Sequence, residues 1–299
     1  MQYIDELDSY RNTEKAAVTF GKFDGLHKGH QKLIGTVKEL GENEGLLSVV
    51  CAFDMHKSGV LMTVEERELH LENEVDCLVN MTFTKEFGAT SAEDFIRNVI
   101  HGIFHAAYVV VGTDFRFGHG KRGDIHMLRQ YEEQYGYKLI VIEKERFENH
   151  IISSTYIKEM LEKGETALAN QMLGYGYGIS GVVEHGKKLG RTLGFPTVNV
   201  AWPKEKLIPP MGVYCCRVYI DGKGYNGIAN IGVKPTVSEE GRVCMESYLF
   251  GYEGEAYGKE VMAELLSYVR PEQKFADKEE LKEYVDKDII SGKEYFKIK

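Results

Sequence analysis

Three features are missing from this sequence of 299 residues: a long apolar run, an excess of positive charge and a C-x-x-C motif. No run approaches the roughly 18 apolar residues that span a membrane. The acidic start, Met1-Gln-Tyr-Ile-Asp-Glu-Leu-Asp, lacks the apolar core of a signal peptide. A net charge of −9 argues against nucleic acid or an anionic membrane as the main partner. An anionic ligand would then be held by local positive groups or by metal.

The five cysteines are odd in number and do not have the spacing of metal ligands. They are Cys51, Cys77, Cys215, Cys216 and Cys244. This usage is typical of reduced core thiols in a cytoplasmic protein, and it offers no catalytic residue. The hydrophobic share of 43% and the charged share of 28% are ordinary for a globular protein, and the length predicts about two domains.

Strand-like and helix-like patterns alternate through the first half of the chain. The strand-like runs are 16–20, 46–53, 77–83, 107–112 and 137–142, and the helical patterns are 31–39, 64–73, 92–101 and 123–135. This alternation predicts a Rossmann-like α/β domain with a parallel sheet covered by helices on both faces. Ligands of such folds bind beyond the carboxyl ends of the strands, where residues 21–30 and 112–120 fall.

A glycine-tyrosine stretch, 174–178, divides the sequence into predicted domains 1–174 and 175–299. Beyond it, short strands are predicted at 179–185, 212–220, 224–231 and 245–250, with Asp221-Gly222 as a hairpin turn. The pattern favours an antiparallel β-barrel or sandwich. A final helix closes the chain: Asp277 and Glu280 form a capping-box pattern, and the apolar stripe is Leu281, Tyr284, Val285 and Ile289.

The segment most suggestive of chemistry is Gly21-Lys-Phe-Asp-Gly-Leu-His-Lys-Gly-His30, which joins the first buried strand to a helix. Backbone amides in such a loop can meet a phosphate chain, and two imidazoles can donate to phosphoryl oxygens. A single histidine here would more often be an ordinary loop or core residue. Two of them at this spacing, among glycines, predict a site for chemistry on a nucleotide phosphate.

This segment resembles the nucleotidylyltransferase signature H-x-G-H, in the form found in bacterial bifunctional riboflavin kinase/FMN adenylyltransferase, also called FAD synthetase. Residues 111–118 resemble the G-x-D-F-R-F-G segment of that family, and residues 152–158 resemble its I-S-S-T-x-I-R/K phosphate-binding stretch. Taken alone, Phe115 and Phe117 would be core or ring-stacking residues, and Arg116 a surface charge. The hydroxyls before Tyr156 would be helix N-caps.

The resemblance implies a set of site residues in the first domain. His27 and His30 would be catalytic, and Phe115 and Phe117 would contact flavin. The implied nucleotide-binding residues are Gly21, Phe23, Asp24, Gly25, His27, His30, Asp114, Arg116, Ser154, Thr155 and Lys158.

Residues 181–199 resemble the riboflavin kinase motif, which ends in G-x-P-T-x-N. Glycines allow backbone to approach phosphates, basic residues supply charge, and Thr197 and Asn199 offer oxygen ligands for Mg²⁺. The alternative is a solvated basic loop before a strand. The implied nucleotide-binding residues are Gly186, Lys187, Gly190, Arg191, Gly194, Pro196, Thr197 and Asn199, and the implied metal ligands are Thr197 and Asn199.

Three further residues follow from this resemblance. Glu246 falls where the family has its catalytic glutamate, the general base for the ribityl 5′-hydroxyl, although a glutamate on a strand more often faces solvent. Residues 268–275 resemble the R-P-E-x-x-F segment, so Arg270 and Phe275 would bind flavin.

The resemblance therefore implies a cytoplasmic enzyme that phosphorylates riboflavin with ATP to FMN and then adenylylates FMN to FAD, with Mg²⁺ as cofactor. Riboflavin, FMN and ATP would be its small-molecule partners, without nucleic acid or membrane; oligomeric state is not indicated. The sequence departs from the family at Phe53-Asp-Met-His-Lys57, where the usual F-D-P-H-P has two prolines. This departure motivates the alternative of a riboflavin kinase without adenylyl transfer. A non-catalytic flavin-binding or regulatory protein is the alternative from another class.

Overall fold

The computed structural model describes residues 1–55, 58–185, 195–234 and 241–298. The chain falls into two compact units, Met1–Ser154 and Thr155–Lys299. The division between the two units falls twenty residues before the domain boundary predicted after residue 174. That boundary stays a prediction. Among the described residues, no helix is long and apolar enough to cross a membrane.

The first unit is built on a six-stranded parallel sheet. Its strands are β1 (Gln2–Asp5), β2 (Ala16–Gly21), β3 (Leu47–Asp54), β4 (Cys77–Thr82), β5 (Ala106–Gly112) and β6 (Lys138–Ile142). Its helices are α1 (Lys28–Glu44), α2 (Val64–Leu71), α3 (Lys85–Gly88), α4 (Ala92–Asp94), a π-helical segment (Phe95–Ile103), α5 (Ile125–Gln130) and α6 (Glu132–Tyr135). The predicted α/β class is confirmed, and β1 is an edge strand that the sequence analysis missed.

The strand order β1-β4-β3-β2-β5-β6 places β2 inside the sheet, between β3 and β5. The chain moves from β2 to β3 and β4 on one side, then returns past β2 to β5 and β6 on the other. Such a reversal opens a crevice beyond the carboxyl ends of the two strands that flank it. Those strands are β2 and β5, and the loops after them hold residues 21–27 and 113–124. The position predicted for the ligand is therefore the switch point of this sheet.

Two predicted helices differ in detail from the observed ones. The segment predicted as one helix at 92–101 winds as three α-helical residues followed by nine π-helical ones. Phe95, Ile96, Val99 and Ile100 are buried, and the apolar pattern does not separate the two windings. The helix predicted at 123–135 begins at Ile125, because the Asp124 carboxylate caps it by accepting from two backbone N–H groups, and it breaks at Tyr131.

The core of the first unit is rich in phenylalanine. Phe20, on β2, meets the ring of Phe95 at 5.3 Å and that of Phe104 at 5.6 Å, both edge to face. The rings of Phe53 and Phe115 lie over the same side chain at 6.4 and 6.3 Å. Because Phe20 precedes Gly21 directly, this packing fixes the end of β2 where the candidate loop begins.

The second unit is an antiparallel sheet of six strands closed into a barrel. Its strands are β9 (Gly178–Val182), β10 (Thr197–Ala201), β11 (Gly212–Ile220), β12 (Lys223–Lys234), β13 (Arg242–Leu249) and β14 (Glu260–Pro271). The order is β10-β13-β12-β11-β14-β9, and the Glu184 N–H closes it by donating to the Asn199 carbonyl at 2.8 Å. The short hairpin of β7 (Arg146–Phe147) and β8 (His150–Ile151) belongs to the first unit. The predicted barrel is confirmed.

The Asp221-Gly222 turn lies between β11 and β12 as predicted, with both residues at positive φ, 51° and 75°. The sequence analysis missed β14, which pairs with β11 and β9. Helices α7 (Ser154–Glu162) and α8 (Thr166–Leu173) precede the barrel, and α9 (Lys278–Tyr295) follows it. Asp277 caps α9 by accepting from the Glu280 N–H at 2.8 Å. The reciprocal half of the box is shifted, because the Glu280 carboxylate accepts from the Ala276 N–H at 2.6 Å.

We expect Phe104→Ala to lower the free energy of unfolding by about 3–5 kcal/mol, because it removes a fully buried ring from close packing. Urea unfolding measures the change. Leu69→Ala is the matched control, since Leu69 is 61% exposed, and we expect it to stay within about 0.5 kcal/mol of the parent. Equal values for the two variants would contradict the assigned core.

Candidate active sites

The loop from β2 to α1 has an unusual backbone. Phe23 and Leu26 adopt positive φ values of 47° and 38°, and Gly25 lies between them at 84°. Such angles are costly for residues with a side chain and persist only where surrounding contacts enforce them. The Leu61 N–H donates to the Asp24 carboxylate at 2.6 Å, and the Ser154 hydroxyl donates to the Asp24 carbonyl at 2.8 Å. The loop is therefore held in a strained shape by contacts from outside it.

The H-x-G-H spacing has a local structural cause. His27 is the N-cap of α1, and its Nδ1 accepts from the backbone N–H of His30 at 3.3 Å, the contact that an N-cap side chain makes three residues ahead. Because Nδ1 is the acceptor, the neutral ring carries its proton on Nε2. A Cβ on Gly29 would lie 3.2 Å from the His27 ring, so glycine leaves the space that this ring occupies.

The two imidazoles stack, with ring centroids 3.7 Å apart and planes at 15°. Phe23, which is fully buried, packs its ring 5.2 Å from that of His30. Burial lowers the pKa of His27 to about 4. Burial, helped by His27 and Arg67, also lowers the pKa of His30 well below its ordinary value. Both rings are therefore neutral at pH 7. In the described part of the chain, the buried Nδ1 of His30 has no hydrogen-bond partner.

Arg67, on α2, is a residue of this region that the sequence analysis missed. It is only 5% exposed, and its guanidinium donates to the Lys22 carbonyl at 3.4 Å and to the Asn80 side-chain oxygen. An arginine in a charged helical segment, Glu65-Glu66-Arg67-Glu68, carries no sign in the sequence that it is buried. The spacing of apolar residues around Arg67 does not distinguish it from a surface arginine.

The loop after β5 carries the second group of predicted residues. Asp114 is exposed and pairs with Lys144 at 2.7 Å, and Arg116 is exposed, donating to the Phe115 carbonyl at 3.0 Å. The rings of Phe115 and Phe117 stack at 5.5 Å, and Phe117 is buried against Phe95. The contact between Phe115 and Phe20 brings this loop beside the end of β2.

Three predicted residues lie at the start of α7. Ser154 joins the first loop through its contact with Asp24. Thr155 and Lys158 lie in the second unit, and their place in the phosphate site stays a prediction.

In the barrel, the chemistry-bearing residues lie on adjacent strands. Asn199 of β10 lies directly opposite Glu246 of β13, and the Thr197 hydroxyl donates to the Glu246 carboxylate at 2.7 Å. The amide of Asn199 lies 3.4 Å from the Thr197 hydroxyl oxygen. The barrel pairing thus gathers the threonine, the asparagine and the glutamate that the sequence separates by almost fifty positions.

A cavity of about 430 Å³ opens beside this group. Pro196, Thr197 and Asn199 line one side of it, and residues 252–257 line another. The remaining predicted nucleotide-binding residues of the barrel, Gly186, Lys187, Gly190, Arg191 and Gly194, lie outside the residues that the structure describes. So do His56 and Lys57 of the first unit.

Arg270 is held in place by the last helix. Its guanidinium donates to both carboxylate oxygens of Asp288, at 2.8 and 2.6 Å, and Asp288 is buried. The rings of Tyr284 and Phe275 flank the guanidinium at 5.5 and 6.0 Å. Arg270 and Phe275, both predicted to bind flavin, therefore lie together. The sequence signal for Asp288 was a carboxylate that interrupts the apolar stripe of α9.

Comparison with known proteins bears directly on these two sites. A family model described as FAD synthetase matches residues 9–156, and one described as riboflavin kinase matches residues 173–296. The bifunctional riboflavin kinase/FMN adenylyltransferase of Bacillus subtilis (strain 168) is 36% identical over 296 residues, which cover 94% of this chain and 93% of the relative. The chain belongs to this bifunctional family. It is an enzyme that has both a riboflavin kinase domain and an FAD synthetase domain, as the resemblance implied.

Other relatives of the bifunctional riboflavin kinase/FMN adenylyltransferase family match over a similar length. The enzyme of that name from Escherichia coli (strain K12) is 33% identical over 294 residues, covering 95% of this chain and 93% of its own. Among solved structures, one named as a macrolide-efflux protein from Streptococcus pneumoniae has a TM-score of 0.83 and 28% identity. It covers 96% of this chain and is covered to 97%. The shared fold therefore extends over both units.

The depressed pKa of His27 makes stability depend on pH. Below pH 6.5 the unfolded chain binds a proton that the folded chain excludes until about pH 4, so folding is weakened as the pH falls between these values. We expect His27→Asn, which keeps an N-cap acceptor, to lose about 2 kcal/mol less than the parent between pH 7 and pH 5. Urea unfolding at both pH values measures this. Equal losses would contradict the neutral, buried His27.

Proposed function

We propose that the barrel transfers the γ-phosphoryl group of ATP to riboflavin, with Glu246 as general base. Glu246 takes the proton of the ribityl 5′-hydroxyl, the oxygen forms a bond to the γ-phosphorus, and the bond to ADP breaks. The observation that carries this assignment is the contact between the Glu246 carboxylate and the Thr197 hydroxyl beside an open cavity. The residue that fixes the carboxylate, Thr197, lines a cavity with space for a nucleotide.

The donor set of the barrel suits Mg²⁺. Thr197 offers a hydroxyl oxygen and Asn199 a side-chain carbonyl, and Mg²⁺ prefers oxygen ligands from one or two residues together with substrate phosphates. We propose that these two residues hold the ion with ATP. When bound, it would neutralise charge on the phosphates. Thr197 also orients Glu246, since its hydroxyl donates to that carboxylate.

For the first unit we propose adenylyl transfer from a second ATP to FMN. The FMN phosphate oxygen attacks the α-phosphorus and pyrophosphate leaves, so the nucleophile is already an anion and needs no base. His27 and His30 act as neutral donors toward the phosphoryl oxygens as charge develops. The depressed pKa values support this role, because a neutral ring keeps one N–H and needs no proton from solution.

The other predicted residues keep their proposed parts. Gly21, Phe23, Asp24 and Gly25 would shape the phosphate loop, which Ser154 contacts. Thr155 and Lys158 keep the phosphate-binding role that the resemblance implies. Asp114, Arg116 and Phe115 would face the adenosine and flavin end, with the buried Phe117 supporting Phe115 by stacking on its ring. Arg270 with Phe275 would line the flavin side of the barrel. The cysteines are all unpaired and buried, which supports the proposal of a reducing, cytoplasmic compartment.

Glu246→Gln tests the kinase assignment. The variant is incubated with riboflavin, ATP and Mg²⁺. We expect it to form FMN about 10²–10⁴-fold more slowly than the parent, because it lacks the base. Supplied FMN should still be converted to FAD at the parent rate. Glu260→Gln, an exposed change in the same barrel, is the matched control. Unchanged FMN formation in Glu246→Gln would remove Glu246 as the base, whereas a parent chain that forms neither FMN nor FAD would favour the non-catalytic flavin-binding alternative.

His30→Asn tests the adenylyl-transfer assignment. We expect FAD formation from supplied FMN to fall about 10²–10³-fold while riboflavin phosphorylation is unchanged, because a donor to the transition state is lost. His101→Asn removes an exposed histidine of the same unit and should leave both rates unchanged. Chromatography of the flavins over time measures both products. FMN accumulating without FAD in the parent chain would instead favour the kinase-only alternative.

A further inference from the structure

Arg67 joins three parts of the first unit at the carboxyl end of the sheet. It lies on α2, whose start is fixed by a capping box between Thr63 and Glu66. One nitrogen of its guanidinium donates to the carbonyl of Lys22, in the loop before His27, and another donates to the side chain of Asn80, on β4. The side chain therefore connects α2, β4 and the strained loop.

The charge of Arg67 is not balanced by its hydrogen-bond partners. Both of them, a backbone carbonyl and an amide oxygen, are uncharged, and within the described residues the buried Nε has no partner at all. Burying a guanidinium in this way is expensive, and burial indeed lowers the pKa of Arg67. The negative charges of Asp54, Asp24 and Glu65 act in the opposite direction and favour its charged form. A cation kept under these conditions, beside a loop that suits phosphates, has an anionic ligand as its natural counter-charge.

The loop from β2 to α1 needs contacts from other segments to keep its conformation. Phe23 and Leu26 occupy positive φ, and these conformations persist only where neighbours over-determine them. The Lys22 carbonyl, which Arg67 binds, immediately precedes Phe23. Removing the guanidinium would free the loop at the point where its strained turn begins. The His27 N-cap lies four residues further along the same loop.

We infer that Arg67 is a positioning residue for adenylyl transfer. Its guanidinium fixes the loop through the Lys22 carbonyl, and the ATP phosphates balance its buried positive charge. The inference rests on the proposed function of the first unit. It assigns Arg67 no contact with the reacting atoms.

Arg67→Gln removes the positive charge of the side chain and most of the N–H donors of its guanidinium. In the full chain, we expect kcat/KM for ATP in FAD formation to fall about 100-fold, as misplaced catalytic groups cause, while riboflavin phosphorylation stays unchanged. Arg97→Gln is the matched control, because Arg97 is exposed and paired with Asp94. Arg67→Lys, which keeps the charge without the planar fork, should recover KM for ATP more fully than kcat.

Asn80→Asp tests the charge without removing the arginine. It replaces the amide oxygen that Arg67 binds by a carboxylate of nearly the same shape, so Arg67 gains an internal counter-ion and the unit should fold at least as well. We expect KM for ATP to rise about tenfold in FAD formation, because the positive potential at the loop is cancelled.

The pH dependence of FAD formation is a second measurement, and it would not change if Arg67 had only a structural role. The charged and titratable groups acting on the imidazole pair are the two rings themselves, Asp24 of the loop and Arg67 of α2. Since the cation disfavours protonation of His30, both Asn80→Asp and Arg67→Gln should shift the acid limb of FAD formation to higher pH.

The outcomes separate this inference from the proposed function. A folded Arg67→Gln with parent-like kcat/KM for ATP overturns the inference while the His30→Asn result stands. If Arg67→Gln does not fold, Asn80→Asp decides: an unchanged KM for ATP and an unchanged acid limb overturn the inference, and the expected shifts support it. A parent chain that makes no FAD overturns the proposed adenylyl transfer and this inference together.

Discussion

The parallel pairing of β2 with β5 is the constraint on which the first site depends. Because the chain fills one side of β2 before returning to the other, the helices that follow these two strands leave in different directions, and the sheet stays open between their carboxyl ends. At the end of β2, Phe20 packs against the rings of Phe95, Phe104 and Phe115. The residues predicted to take part in chemistry lie on the loops that follow β2 and β5 and at the start of α1.

The features that could be predicted from the sequence are those whose cause is local. The H-x-G-H spacing indicated a loop entering a helix, and the structure gives the reason: His27 caps the helix toward His30, and Gly29 leaves room for the ring. Buried strands were recognisable from continuous apolar runs, and the Asp221-Gly222 hairpin from turn chemistry. The assignment of His27 and His30 to one site therefore needed no knowledge of the rest of the fold.

The features that could not be predicted depend on contacts between distant segments. Arg67 lies among glutamates on α2, and only the approach of the loop and β4 buries it. Asp288 interrupts the apolar stripe of α9, but its partner could not be predicted, because Arg270 lies on a strand missing from the predicted set. Barrel register is of the same kind, because Asn199 is set opposite Glu246 by the pairing of β10 with β13, two strands far apart in the sequence. Polar residues in long-range contacts leave no periodic pattern.

The depressed pKa of His27 has a physiological consequence. An imidazole with an ordinary pKa of 6.5 would be about 90% protonated if the interior of a cell acidified to pH 5.5. With a pKa of about 4, only about 3% of His27 rings would carry the extra proton. The burial that weakens folding at low pH therefore also keeps the protonation state of His27 nearly constant over this range.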